Sequence, residues 1–267
     1  MPGVQLRRAL AIRYVTPLRE GGSLPALVEA DDDGMYVVKL RGAGQGPKAL
    51  VAELVVGELG RALGLNVPEQ TLVELGADLA VAEPDPEIQE LLAASTGLNV
   101  GLDFLPRALM YSPAAGFELD PGEAAAIVWL DALTENVDRT PRNPNLLTWH
   151  GRLWLIDHGA ALYRQHAGLD PAQAQERFAA IRDHVLLPLA SSIAVADERL
   201  APQVTSELVR DIVGAVPPDW LGDVPAERYV EYLQARLRAP RAFVDEAEHA
   251  RAALGTAAPV TEEADGR

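Results

Sequence analysis

Between Asn136 and Gly159 the stretch NVDRTPRNPNLLTWHGRLWLIDHG places Asp138 five residues ahead of Asn143, and Asp157 directly before His158 and Gly159. A carboxylate, an amide and a second carboxylate in this order suit metal-assisted phosphoryl transfer. The first Asp can accept or orient the proton of an attacking hydroxyl, while the Asn and the second Asp hold Mg²⁺ against nucleotide phosphates. Asp and Asn are also common loop residues, because their side chains bond nearby backbone amides in turns, so each of the three taken singly reads as structural. The joint pattern is what points to chemistry: D-x-x-x-x-N, a short two-strand pattern, then an apolar run ending in Asp-x-Gly. It requires a phosphate-binding half elsewhere in the chain.

The elements around these residues must bring them together. Leu146 to Trp149 and Leu153 to Ile156 are β-rich runs, and His150-Gly151 between them reads as a tight turn, so Asn143 and Asp157 are expected at the same end of a hairpin. Upstream, Asp120-Pro121 reads as an N-cap followed by proline at the first helical position. Ile127, Leu130 and Leu133 then mark the buried face of a helix that delivers Asn136 to Asp138 at its end.

The first half of the chain predicts strands over Ala11–Thr16, Ala26–Ala30 and Met35–Leu40, an antiparallel meander. Its first connection contains Gly21, Gly22 and Ser23, which reads either as a phosphate-binding loop or as an ordinary hairpin turn. Lys39 ends the apolar strand VVK. The glycines Gly42, Gly44 and Gly46 that follow lack the later glycine, the parallel βαβ unit and the downstream acid of a dinucleotide fingerprint. A helix is predicted over Lys48–Leu63, with Leu50, Leu54, Leu59 and Leu63 on one face and Gly64 closing it. Glu53, beside that inward stripe, is placed either to pair with Lys39 or to face solvent in the first turn. Further strands are expected over Gln70–Leu75, Leu79–Glu83 and Gly97–Leu105, with a short helix in EPDPEIQELLAAS. The C-terminal part reads as helices over residues 171–187, carrying Phe178, Ile181 and Val185, and over 199–216, 225–238 and 241–254.

Composition narrows the function classes. The chain has 267 residues, 48% of them hydrophobic, with mean hydropathy near zero, which suits a soluble protein that buries a sizeable core as one bilobal domain or two small ones. No apolar run approaches the roughly 20 residues that span a bilayer, and MPGVQLRRALAIRYV shows neither an h-region nor a cleavage site, so a cytoplasmic address is expected. The absence of cysteine excludes disulfides, thiolate zinc sites and cysteine nucleophiles. Five scattered histidines offer no zinc spacing; His158 reads as a packing residue and His184 as a core or surface histidine. A net charge of −16 argues against nucleic acid and anionic membranes as partners.

MYVVKLRG, AELVVGELGRALGLNVPE, ENVDRTPRNPNL and LWLIDHG together resemble the HipA-like kinases, over roughly Tyr14 to Tyr163. The resemblance implies an α+β, bilobal protein-kinase-like fold, with a small antiparallel-sheet N-lobe carrying one helix and a mainly helical C-lobe. The expected division is residues 1–105 for the nucleotide-binding N-lobe, 106–255 for the C-lobe and 256–267 for a disordered tail. It further implies ATP and Mg as cofactors, Lys39 as the ATP lysine with Glu53 as its acid, Asp138 as the catalytic aspartate, and Asn143 and Asp157 as metal ligands. In the kinase order, backbone groups around Leu102 to Leu105, Asp103 among them, would meet the adenine edge. HipA proteins carry a histidine two residues after the catalytic Asp where this chain has Thr140, and Asp138-Arg139 is similar to the opening of lipid-kinase catalytic loops. The chain also has almost nothing ahead of its first strand to match the N-terminal extension of full-length HipA. The implied activity is phosphorylation of Ser or Thr on an unidentified protein acceptor. A lipid or small-molecule alcohol, a pseudokinase scaffold and a metal-dependent phosphohydrolase are the alternatives, and Ser23 is a candidate self-modification site.

Overall fold

The computed structural model describes residues 4–18, 24–44, 46–81 and 83–256. Strands β1 (Arg7–Pro17), β2 (Ala26–Ala30) and β3 (Met35–Lys39) form the expected antiparallel meander. After β3 comes helix α1 (Pro47–Ala62), then β4 (Gln70–Leu75), the short helices α2 (Asp78–Val81) and α3 (Pro86–Ala94), and β5 (Gly97–Asp103). β5 pairs with both β3 and β4, and β4 runs parallel to the start of β1, closing five strands into a barrel. β1 begins at Arg7 rather than Ala11 because Arg7–Leu10 pair with Thr71–Glu74, a partner too distant in sequence to be read locally.

Val28, Tyr36, Val38 and Val73 fill the barrel, which α2 and α3 close with Leu79, Ala80, Ile88 and Leu92. The strand expected over Leu79–Glu83 is therefore a helical turn. Leu79 and Ala80 are both buried while Val81 is exposed, and burial of adjacent residues contradicts the two-residue alternation of a strand.

The second region is built on α4 (Pro121–Leu133), in which every residue from Ala124 to Leu133 is buried, so the helix is enclosed on all sides and not on one face alone. Beside it lies a three-stranded sheet of β6 (Leu109–Met110), β7 (Leu146–Trp149) and β8 (Arg152–Leu155). Helices α5 (Ile193–Leu200), α6 (Ser206–Gly214), α7 (Pro218–Leu221), α8 (Ala226–Arg236) and α9 (Ala242–Thr256) complete it. The helix expected over 171–187 is instead a series of short 3₁₀ turns, Gln173–Gln175, Ala179–Asp183 and Leu187–Leu189. Amides there have partners outside the segment's own helical ladder: Val185 N–H donates to the Arg139 carbonyl at 3.1 Å and Leu186 N–H to His184 Nδ1 at 3.1 Å. Phe178, Ile181 and Val185 are nevertheless buried as their pattern predicts. The helix expected over 199–216 is divided in two, with Thr205 capping α6 by accepting from Leu208 N–H at 3.1 Å.

Helix α1 starts with Pro47 at N1 and ends in a Schellman motif, with Gly64 at φ 80° and Leu65 N–H donating to the Gly60 carbonyl at 2.9 Å. Although it follows the barrel strands in sequence, Val51, Leu54, Val55 and Leu59 belong to the large core that α4 and the later helices share. α1 packs on α6 and α7, and Lys48 at its start ties it to the Gln165 carbonyl at 3.1 Å and to Asp223 at 2.9 Å. Toward the barrel, Gly57 lets α1 approach β4 closely: a Cβ there would lie 2.4 Å from Gln70 Nε2, which donates to the Glu53 carbonyl at 2.8 Å. The tail expected over 256–267 lies, apart from Thr256 at the end of α9, outside the described residues, as do Gly21, Gly22 and Ser23.

Candidate active site

Asp120 caps α4 by accepting from Glu123 N–H at 2.9 Å, and the far end of the helix aims the next residues into the cleft. Asn136 N–H closes that end by donating to the Asp131 carbonyl at 2.9 Å, with Glu135 in the left-handed position, φ 54°, that glycine usually takes. A non-glycine residue persists there only when its surroundings hold it. The Glu135 carboxylate is held by Tyr232 Oη at 2.7 Å, Arg164 Nε at 2.9 Å and Arg236 Nη1 at 3.4 Å.

Asp138 follows two residues after Asn136, whose side-chain oxygen accepts its N–H at 3.1 Å. Arg139 turns inward and is fully buried. Its Nε reaches Asp131 Oδ2 at 2.5 Å, its Nη1 bonds the Asn145 and Ile156 carbonyls, and its Nη2 meets His158 Nδ1 at 3.2 Å. Arginine can only donate, so His158 Nδ1 accepts and its proton sits on Nε2. His184 accepts from Leu186 N–H through Nδ1 and therefore donates Nε2–H to Asp131 at 2.9 Å. Burial pushes the Asp131 carboxyl up, but Arg139 and His184 outweigh it and hold the group below the ordinary carboxylate range. Burial, with Arg139 adding to it, lowers His158 to about 3, so this imidazole stays neutral. Both histidines are thus packing residues, as the sequence context of His158 implies.

The hairpin closes at His150-Gly151, both at positive φ (49° and 71°), and its register pairs Leu146 with Leu155 and Trp149 with Arg152. Asn143 and Asp157 are accordingly brought to one end of the ribbon, where both line a cavity. Asn143 Nδ2 donates to Asp138 Oδ2 at 2.7 Å. Asp157 sits at φ 56° at the strand end, with its carboxylate 2.8 Å from Lys39 Nζ. Burial opposes ionisation of Asp157, and the Lys39 ammonium more than offsets it, holding the carboxyl below its ordinary value.

Lys39 pairs with Asp157 rather than with Glu53. Glu53 is fully buried on α1, and its Oε2 accepts from His158 N–H at 2.8 Å. Burial, reinforced by the Asp157 charge and opposed by Lys39, pushes Glu53 up to about 7. Glu53 therefore holds the peptide just after Asp157, and acts on Lys39 through the field of the cluster.

The cavity encloses about 640 Å³ between barrel and hairpin. Lys39, Asp157, Asn143 and Asn145 line it together with apolar Val37, Leu102, Met110, Leu147 and Ile156. Leu102 to Leu105 also line it. Within that segment Asp103 N–H donates to the Glu69 carbonyl and Phe104 N–H to the Met35 carbonyl, both at 3.0 Å, while Leu105 N–H has no partner among the described residues. The Asp103 side chain turns to Arg7 at 3.6 Å.

Two polar residues of the site escape a reading of the sequence motif, Asn145 and Asp131, while Arg139, which that reading does single out, turns inward. Asn145 carried a signal, the second amide of N-P-N, but the D-x-x-x-x-N count stops at Asn143. The site has the ligand chemistry of a hard cation bound with substrate phosphates, since its donors are carboxylate and amide oxygens. Among the described residues no three His, Cys, Asp or Glu side chains gather as an all-protein metal cage.

A family model described as HipA-like kinase matches residues 12–241. No curated protein matches the chain. Among solved structures, the proinflammatory kinase CtkA of Helicobacter pylori superposes with a TM-score of 0.51 at 14% identity, over 94% of this chain and 99% of that one. The Golgi casein kinase with Mn/ADP bound superposes with a TM-score of 0.52 at 11% identity, over 94% of this chain and 75% of that one. At these identities the likeness shows a shared protein-kinase-like fold: a barrel with one principal helix, followed by a helical region.

Proposed function

The chain belongs to the HipA-like kinase family, and from that premise we propose that it transfers the γ-phosphoryl group of Mg·ATP to a serine or threonine hydroxyl of a protein. The observation that carries this reading is the convergence of Lys39, Asp157 and Asn143 on one cavity, with Asp138 bonded to Asn143. The fold neighbour that binds Mn/ADP supports a nucleotide and divalent-metal site in the same architecture.

Each residue then has a task its chemistry suits. Lys39 offers an ammonium to the phosphates. Asp157 and Asn143 would hold Mg²⁺, Asp157 through its carboxylate and Asn143 through the amide oxygen left free when its NH₂ donates to Asp138. The ion supplies neutralisation of charge building on the phosphoryl oxygens. Asp138 uses one oxygen for protein amides and keeps Oδ1 without a partner among the described residues, available to the acceptor hydroxyl. The apolar walls and the Leu105 N–H, unpartnered among the described residues, suit a purine ring and its edge. No helix among the described residues is long and apolar enough to cross a membrane, and the surplus of acids disfavours anionic lipid and nucleic acid, so a soluble protein acceptor in the cytoplasm fits best.

The test is incubation with γ-labelled ATP and host lysate, wild type beside Asp138→Ala. Label on proteins with the wild type alone supports the reading. Label confined to lipid or small metabolites would replace the acceptor class, and no transfer to any fraction would remove the kinase reading itself.

A further inference from the structure

We propose that Asn145, two residues beyond the motif asparagine, is a positioning residue that fixes the rotamer of the catalytic Asp138. The inference rests on the phosphotransfer reading and names a determinant that the reading lacks.

Asn145 is 4% exposed, yet it lines the cavity. Its backbone is clamped: its carbonyl accepts from Arg139 Nη1 and from Ile156 N–H, the latter at 3.1 Å. Its φ of 49° is a conformation that Asn tolerates better than most residues. From this fixed base its Nδ2 donates to Asp138 Oδ2 at 3.2 Å, the same oxygen that Asn143 engages at 2.7 Å. Two amides on one carboxylate oxygen restrain the group, and Oδ1 has no partner among the described residues. They differ in what anchors them. Asn143 stands in a loop whose N–H bonds only Thr140, whereas Asn145 is bolted to the buried Arg139. If Asn143 turns toward a metal, Asn145 remains as the donor that keeps Asp138 aimed.

Asn145→Gly deletes the amide and retains a residue suited to positive φ. Turnover in the γ-labelled ATP assay is expected to fall about 10- to 100-fold, the scale of a misplaced catalytic group, with unchanged KM for ATP and unchanged Mg²⁺ requirement. In an Asp138→Asn background the same change should have no further effect on turnover. A raised Mg²⁺ requirement would make Asn145 a metal ligand and overturn the assignment, as would full turnover in Asn145→Gly. The contact has a readout independent of activity. Asn145→Asp sets a second carboxylate against Asp138 and should lower the melting temperature by about 3 °C in the wild type and not in Asp138→Asn. Equal effects in both backgrounds refute the proposal even if the wild type transfers no phosphate, an outcome that refutes the kinase reading separately.

Discussion

Two neighbouring polar clusters, each drawing on the stretch from Asn136 to Gly159, are treated in opposite ways. Lys39, Asn143 and Asp157 line the cavity, and Asp138 is bonded to Asn143 beside it, each with few partners and room for more. Behind them Asp131, Arg139, His158 and His184 are buried and bonded mainly to one another. A buried ion pair adds little net stability over apolar packing, but removing one member leaves a charge that nothing compensates. The contrast teaches a division of labour. The inner cluster spends its bonds holding backbone, including the Asn145 and Ile156 carbonyls, so that the outer one can keep valences open for a ligand.

Breaking the outer cluster should remove chemistry and spare the fold. Asp157→Asn is expected to cut phosphotransfer by about 10³-fold or more, and to abolish the metal-dependent part of the melting shift given by Mg·ATP, with the ligand-free melting temperature near wild type. A ligand-free protein that no longer folds would mean that the Lys39–Asp157 pair belongs with the structural cluster. Breaking the inner cluster should do the reverse. Arg139→Met strands the Asp131 carboxylate and should cost about 3–5 kcal/mol of unfolding free energy, measured by urea denaturation. A change under 1 kcal/mol would dissolve the distinction between the clusters.

The smallest effect sharpens the boundary, where Glu53 lies. Its folded value of about 7 exceeds the ordinary 4.5, so its contribution to stability is full below pH 4.5 and is lost as pH rises to 7. His158, lowered from 6.5 to about 3, acts oppositely, since the unfolded chain binds its proton first and stability rises with pH across that window. Between pH 4.5 and 6.5 the two oppose each other. Glu53→Gln should make stability climb more steeply with pH there, by up to one proton, about 1.4 kcal/mol per pH unit. An unchanged slope in a urea series at several pH values would show that Glu53 is ionised throughout.

Much of this was legible in the sequence, and the failures have physical causes. The Asp120 cap, the His150-Gly151 turn and the order of Lys39, Asp138, Asn143 and Asp157 are local chemistry and were readable. Residues 171–187 read as a helix because Phe178, Ile181 and Val185 are spaced for one buried face. The amide of Val185 belongs to Arg139, a partner that no window of sequence contains. Arg139 itself looked like part of a catalytic signature, since burial of a charged residue shows only once Asp131 and His158 have been brought around it. Glu53 read either as the partner of Lys39 or as a solvent-facing acid and is neither: it is buried, and Asp157, arriving from more than a hundred residues away, takes the lysine.

The seat of α1 decides what moves when the cleft changes width. Glu53 and Asp157 both rest on the large core, joined through the peptide of His158, while Lys39 rides on a strand of the barrel. A tilt of the barrel would stretch the 2.8 Å contact between Lys39 and Asp157 and leave Glu53 in its place. The lysine is then a latch across the cleft, and a spectroscopic ruler from barrel to hairpin would register its opening while one from α1 to hairpin stayed still.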